Sequence, residues 1–433
     1  MVNLSAMRVK DRISGLPLDI LAHILGLLRI REAAISAILC TSLRDAWLSL
    51  PHLNFDSHFF IYLRSRHMEA LTTLIIKTII IKHKGPIRKF EFDFYMIRCM
   101  NKMSTWLDFD EMLHRLTRKG VEEIHLSICS CTQYVLPDCI FSCLTLQTLH
   151  LSGVLFPQIR APCIFPNVTS LFLENVKFDQ TKCSHVELPM LRNLTCESIS
   201  GFDFTAPMLR SLKFCVRRYS NIAGTNSCLI LPVKFDLGTL RYLHIGNIGL
   251  GVYICAFLVT SLKLLFVYVH KKTLQQFKFE FFLKRFVEEL SRIGQAQTTL
   301  NVEHLKLRLN DKYSDNISTF LHLLRMCPML IKLDIHLTFG ARFTSEEDLL
   351  MVPEHTLAQT FDTIRDLSIV CWFHGSSPKM TFFKWLLCRF PALEKVLFFS
   401  NYMDSDDNPS EDIETLMCFL RAHKEVDITY YIK

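Results

Sequence analysis

Apolar residues recur along this chain with two different periods. Between Leu16 and Leu28 they fall at Leu16, Ile20, Leu21, Ile24, Leu25, Leu27 and Leu28. Ile20, Leu21, Ile24 and Leu28 share one face at about 3.6 residues per turn, which predicts an amphipathic helix. Pro17 suits the first turn of that helix, where a missing N–H leaves nothing unsatisfied. A second helix is predicted from near Ile30 to Cys40. Glu32 lies in its first turn, where negative charge suits the helix dipole. A third covers Leu43 to Leu48 and stops before Pro51. Three short helices make a marginal core by themselves. Such a module reads as half of an interface, whose apolar side a partner completes.

From residue 85 onward the pattern changes to apolar-x-x-apolar-x-apolar. It occurs at Ile87, Val121, Leu146, Val168, Leu191, Leu209, Leu240, Val302, Leu330, Ile364 and Leu393. The steps from Val121 are 25, 22, 23, 18 and 31 residues, and those from Val302 are 28, 34 and 29. These scatter around the roughly 20–29 residues of leucine-rich repeats. Pro stands two positions before the first apolar residue at Pro166, Pro189, Pro207, Pro328 and Pro391. Pro has no N–H and restricts its neighbour, so it suits strand entry after a loop. A single repeat cannot bury its own apolar face, so neighbours must stack. The prediction is one parallel sheet of short strands on the inner face of a curved solenoid. Helices are predicted between the strands at Met103–Lys119, Phe281–Ile293, Ile317–Met326 and Phe382–Phe390. Tyr402–Glu411 reads as a solvated acidic loop, with a helix near Ile413–Ala422 and a strand at Val426–Ile432 to follow.

The fifth position of each repeat should point away from the core, onto the concave face. It holds His125, His150, Phe172, Thr195, Lys213, His244, Lys306, Asp334 and Ser368. A mixed polar and aromatic row of this kind is where a solenoid binds its partner. The candidate target-binding residues are His125, His150, Phe172, Lys213, His244, Lys306 and Asp334. A register slip of one residue would turn the whole row inward.

Composition narrows the function class. The chain has 433 residues, 50% of them apolar and 21% charged, which suffices for a large core and rules out a mostly disordered chain. Net charge is +7, from 49 basic and 42 acidic residues, and without a long basic run it gives no case for nucleic acid. The 14 glycines include neither G-x-G-x-x-G nor G-x-x-x-x-G-K-[ST]. H-E-x-x-H and G-x-S-x-G are also absent, so the chain reads as no enzyme. Met1 to Lys10 contains no apolar stretch that reads as a signal peptide. Tyr253–Val269 is apolar, but it is short and Lys263 sits near its centre. A central charge costs roughly 2.5–3.5 kcal/mol on insertion scales, so two buried strands are the better reading than a membrane span. The 16 cysteines read as small buried thiols. Cys129, Cys131, Cys139 and Cys143, flanked by His125 and His150, match no zinc spacing, and no metal or cofactor is implied.

Residues 11–56 resemble an F-box, in the form found in plant F-box proteins with leucine-rich repeats. The resemblance rests on Asp11, Arg12, Ile13, Leu16, Pro17, Ile20, Leu21, Ile24, Leu25, Leu28, Ala33, Ala34, Leu39, Arg44, Trp47 and Leu50-Pro51. Leu53, Phe55 and Asp56 fit the same subfamily, as do the divergent repeats. The segment Ile364–Phe399 resembles the C-terminal repeat segment of those proteins, whose best-known form is the FBD region. It departs from the F-box pattern at Leu18, where an acidic residue is usual, and at Thr41-Ser42-Leu43, where a basic–Arg–Trp run is usual. The resemblance implies docking to the Skp-type adaptor of a cullin–RING ubiquitin ligase. The adaptor-facing residues would be Leu16, Pro17, Ile20, Leu21, Ile24, Leu28, Leu43 and Trp47. The expected fold class is α/β. The expected domains are an F-box at 8–56, a helical linker at 57–85, divergent repeats at 86–400 and an acidic loop with a cap at 401–433. The function implied is substrate recognition for the ligase in the cytoplasm or nucleus, with no nucleic-acid or membrane partner. The alternative is a plain repeat scaffold with a degenerate F-box.

Overall fold

The structure is a computed structural model. It describes residues 13, 15–68, 71–94, 104–129, 134–157, 164–178, 186–197, 204–217, 241–248, 276–280, 302–309, 317–337, 360–373, 385–402, 418 and 426–432. In chain order the first elements are helices α1 (Leu18–Gly26), α2 (Ile30–Ser36) and α3 (Thr41–Trp47), strand β1 (His52–Phe55), helices α4 (Ser57–Ser65) and α5 (Thr72–Lys82) and strand β2 (Lys89–Phe94). Helix α6 (Ser104–Arg118), β3 (Glu123–Ile128), α7 (Asp138–Phe141), β4 (Thr148–Ser152), β5 (Leu155–Phe156), β6 (Ser170–Glu174), β7 (Lys177–Phe178) and β8 (Val186–Glu187) follow. Next come β9 (Asn193–Glu197), β10 (Phe204–Thr205), β11 (Ser211–Arg217), β12 (Tyr242–Ile248), β13 (Gln276–Glu280) and β14 (His304–Leu309). The last are α8 (Ile317–Arg325), β15 (Lys332–Leu337), β16 (Asp366–Phe373), β17 (Lys395–Tyr402) and β18 (Asp427–Ile432). The chain divides into two compact units, Met1–Leu191 with Ile199–Ala206, and Arg192–Ser198 with Pro207–Lys433. The fold is α/β with parallel sheets.

In the first unit, α1, α2 and α3 pack on one another through Leu21, Leu25, Ala33, Leu43 and Ala46. Pro17 caps α1 from outside rather than opening its first turn. Glu32 reaches back to the Arg29 N–H at 3.4 Å, as its place in the first turn of α2 allows. Helix α3 begins at Thr41, earlier than its apolar pattern suggests, because Cys40 Sγ accepts the Leu43 N–H at 3.5 Å. The module ends on strand β1, which pairs in parallel with β2 and buries Leu53 and Phe55. Residues 52–55 therefore belong to the sheet, although the sequence pattern assigns them to the helical module. The parallel order continues β2–β3–β4–β6. Two small parallel pairs, β5 with β7 and β8 with β10, flank it. Helix α6 spans Ser104–Arg118, close to the predicted Met103–Lys119.

The Phe-rich composition has a clear use here. Phe55, Phe59, Phe60, Phe90, Phe92, Phe94 and Phe109 form one aromatic cluster with ring centroids 4.6–6.4 Å apart. Ring pairs of this kind add about 0.5–1.5 kcal/mol each beyond the area they bury. Gly85 lets the chain pass tightly behind the module, since a Cβ there would meet Ser49 backbone at 3.2 Å.

The second unit holds β9, β11, β12, β13, β14, β15, β16, β17 and β18, each parallel to the next. Every repeat read from the sequence supplies a strand, and each of those strands starts at the third or an adjacent repeat position. β13 belongs to a repeat that the sequence reading passed over: Leu274-Gln275-Gln276-Phe277-Lys278-Phe279 fits the same pattern, with Lys272 rather than Pro two positions before it. Helix α8 matches the predicted Ile317–Met326. Of Phe382–Phe390 only 385–390 are described, with 385–387 helical, and of Ile413–Ala422 only Cys418 is described, as helix. Phe281–Ile293 and Tyr253–Val269 lie outside the described residues.

One hydrogen-bond motif repeats within both units. The carbonyl at the second repeat position accepts the second and third N–H groups of the next repeat. Arg88 O accepts from Glu122 and Glu123 at 2.8 and 2.9 Å, Glu122 O from Gln147 and Thr148, and Arg365 O from Glu394 and Lys395. The repeated prolines have a matching geometry. Pro166, Pro189, Pro328 and Pro391 each occupy the second place of a four-residue turn closed by a backbone bond, as from Val168 N–H to Phe165 O at 3.1 Å. That place wants a fixed φ and donates no bond, which Pro supplies.

Candidate functional site

The N-terminal helices carry two apolar faces. One packs inward. The other lies on the surface: Leu16, Ile20, Ile24, Leu27 and Leu28 from α1 and its flanks, and Ile35, Ile38 and Leu39 from α2 and the turn after it. Exposure reaches 76% at Leu27 and 78% at Leu39. Contiguous exposed apolar residues on so small a module mark an interaction site.

The predicted adaptor-facing residues divide accordingly. Leu16, Pro17, Ile20, Ile24 and Leu28 are exposed, and Trp47 is half-buried. Leu21 and Leu43 are not part of this surface, at 1% and 8% exposed. Leu21 points between the helices, one turn-step away from Ile20. Leu43 is held inward by the start of α3 at Thr41. Leu27, Ile35, Ile38 and Leu39 were missed as surface residues. The signal was available: Ile30, Ala33 and Ala37 already supply the inward face of α2, so its other apolar residues must face out.

The fifth-position row is in register. In the first unit Asn54 pairs with Glu91, Glu91 with His125, His125 with His150 and His150 with Phe172. The residues between them, such as Ile124, Leu126, Leu149 and Leu151, are buried, so the row faces away from the core. The His125 and His150 rings lie 5.5 Å apart, and His150 and Phe172 lie 5.6 Å apart. Lys89 Nζ bridges Glu91 at 2.8 Å and Glu123 at 3.6 Å, and His125 Nδ1 lies 3.5 Å from Glu91. Burial holds the His125 imidazole below its ordinary value, against the pull of Glu91, with Lys89 and His150 adding to the depression. His125 is therefore uncharged at neutral pH, and its ring meets that of His150 at a tilt of 59°.

At the end of this row, beside α1 and α2, is a cleft of about 310 Å³. Leu25, Leu28, Ile30, Ala33, Leu50 and Leu53 line it, and His52, Asn54, Lys89 and Glu91 line it on the sheet side.

In the second unit the row runs Thr195, Lys213, His244, Lys278, Lys306, Asp334 and Ser368 in register. Lys213 Nζ lies 3.3 Å from Glu197, and His304 Nε2 and Lys306 Nζ approach Asp334 at 2.9 and 3.5 Å. Burial pushes the Asp334 carboxyl up, but the His304 bond and the charges of His304, Lys332 and Lys306 outweigh it and hold the pKa below its ordinary value. His244 is half-buried.

Of the candidate thiol cluster, Cys129 and Cys139 are partly buried and Cys143 is buried; Cys131 is outside the described residues. Burial pushes the Cys139 thiol up to about 11, which keeps it protonated and a poor metal ligand. Among the described residues no group of His, Cys, Asp and Glu is placed to hold a metal, and no helix is long and apolar enough to cross a membrane.

No family model matches the chain. It is 26% identical over 261 residues to an F-box/LRR-repeat protein of Arabidopsis thaliana, covering 56% of this chain and 64% of that one. It is 32% identical over 142 residues to an F-box/FBD/LRR-repeat protein of the same plant, covering 33% and 32%. The chain is a homologue of plant F-box/leucine-rich-repeat proteins. A second F-box/FBD/LRR-repeat protein is 24% identical over 215 residues, covering 47% of this chain and 48% of that one. The matches thus span between 32% and 64% of these relatives' own lengths.

Proposed function

We propose that this protein is the substrate-recognition subunit of an SCF-type E3 ubiquitin ligase. The N-terminal helices dock to a Skp-type adaptor, and through it to a cullin–RING ligase. The repeats, arranged as a curved leucine-rich-repeat solenoid, capture a target protein. The chain itself performs no covalent chemistry. Its contribution is proximity, holding target lysines near the charged conjugating enzyme, in the cytosol or nucleus.

The observation that carries the reading is the outward apolar face of α1 and α2, present on a module whose inward face is already filled. Each half-exposed Ile or Leu covered by a partner contributes on the order of 1 kcal/mol. A set of them suits a stable helix-mediated contact. One observation favours the alternative of a non-ligase scaffold: Leu43, which stands in the altered Thr41-Ser42-Leu43 run, is buried and offers no exposed anchor.

The test is co-expression of the full chain with a Skp-type adaptor. Stoichiometric capture is expected. Ile20→Asp with Ile24→Asp should abolish it with only a small fall in melting temperature, because both side chains are half-exposed on the outward face. Leu21→Ala should instead lower stability by about 2–5 kcal/mol, as for a large-to-small core change. Undiminished capture by the double Asp variant would sink the ligase reading.

A further inference from the structure

The first unit's sheet face and its terminal cleft form one continuous surface. Glu91 belongs to both: it lines the cleft and sits 3.5 Å from His125, the first ring of the His125–His150–Phe172 ladder. The row from Asn54 to Phe172 crosses five strands in four steps of about 4.8 Å, so the surface is about 19 Å long. An extended peptide advances about 3.3 Å per residue and crosses it in roughly six residues.

The chemistry of this surface selects the occupant. On the outward positions of β2, β3, β4 and β6, carboxylates stand at Glu91, Asp93, Glu123 and Glu174 and a Lys stands at Lys89, so the formal charge is 1 − 4 = −3. Lys89 is already engaged by Glu91 and Glu123. His125 adds no charge at neutral pH, because burial holds its imidazole below the ordinary value. Phe172, 36% exposed, offers a π face two residues from Glu174 on the same side of β6. A guanidinium can stack on such a ring while pairing with the carboxylate. The cleft, floored by Leu25, Ile30 and Leu53, suits an aliphatic side chain at the other end.

We infer that the first unit's sheet face binds an extended, basic segment of a target protein, with an aliphatic side chain in the cleft over Leu53 and an Arg or Lys over Phe172 and Glu174. The inference rests on reading the row as a target-binding surface, and it names the chemistry of that target. Because the attraction is partly electrostatic, affinity should fall with added salt.

The experiment uses the purified full chain, with capture of a Skp-type adaptor measured separately on the same preparation. A displayed library of random peptides, long enough to cross the row, is selected on it. The recovered peptides should be enriched in Arg and Lys, depleted in Asp and Glu, and should carry a Leu, Ile or Val. A recovered peptide is then synthesised and its affinity measured by fluorescence anisotropy. Glu123→Lys and Asn54→Trp, both at exposed or half-exposed positions, should each weaken it by about tenfold, the first by reversing charge and the second by filling the cleft. No enrichment, acidic enrichment, or affinity unmoved by both variants at an unchanged melting temperature overturns the proposal. Adaptor capture from the same preparation reports separately on the ligase reading. Capture without basic enrichment sinks only the target chemistry; basic enrichment without capture sinks only the ligase assignment.

Discussion

His83 sits where the helical module meets the sheet, with Nε2 2.7 Å from Leu50 O and Nδ1 2.9 Å from Gly85 O. Two carbonyls favour the imidazolium, which could donate to both. Burial opposes it and is the larger effect, and the nearby Lys119 ammonium adds to it, so the folded pKa lies below the ordinary histidine value. The unfolded chain therefore takes up a proton more readily than the folded one. Stability is full above about pH 6.5, the unfolded histidine value, and is lost as pH falls through the folded pKa. Burial depresses His125 and His322 in the same direction. The urea midpoint should drop between neutral pH and about pH 5. His83→Gln should be less stable at neutral pH and show a shallower drop. An identical pH slope in the variant would mean that His83 is not the group responsible.

At the scale of elements, secondary structure here is set by end groups as much as by apolar period. Helix α4 follows β1 without a loop. The switch occurs at Asp56, whose carboxylate accepts the Phe59 N–H at 2.9 Å. This satisfies one of the otherwise orphaned donors at a helix start and directs Phe59 and Phe60 into the aromatic cluster. Asp56→Ala should cost about 1 kcal/mol, read as a shift in the urea midpoint, whereas Asp56→Asn should cost little. Equal losses in the two variants would mean that charge, rather than capping, matters at this site. Cys40 performs the same role for α3 with a weaker acceptor, which is why that helix starts ahead of its apolar pattern.

For the whole molecule, the boundary of the helical module has consequences for any attempt to separate it. Pro51 O accepts the Arg88 and Lys89 N–H groups at 2.8 and 3.0 Å, and β1 covers Phe90 in the first sheet. A chain beginning at Pro51 keeps this strand; one beginning at Ser57 loses it and exposes the edge of β2 with its aromatic neighbours. Expressed alone, the longer chain should be soluble, and the shorter should melt lower and associate through its uncovered edge, as light scattering would detect. Equal behaviour would place β1 with the helices after all.

The repeat period, the buried first, fourth and sixth positions and the outward fifth position were legible in the sequence, because a strand's alternation and a Pro-opened turn are local and each recurs many times. The three N-terminal helices were legible for the same reason. What local pattern could not decide is which apolar residues of a two-faced helix turn inward. Ile20 and Leu21 have nearly the same hydrophobicity, and only the packing of α1 against α3 buries one and leaves the other at the surface. The alignment of Glu91, His125, His150 and Phe172 into one ladder, and the cleft that extends it past α2, likewise arise only when strands far apart in sequence are laid side by side. Sequence determined the elements and their faces; tertiary structure decided which faces were left for a partner, because burial is a property of neighbours and not of residues.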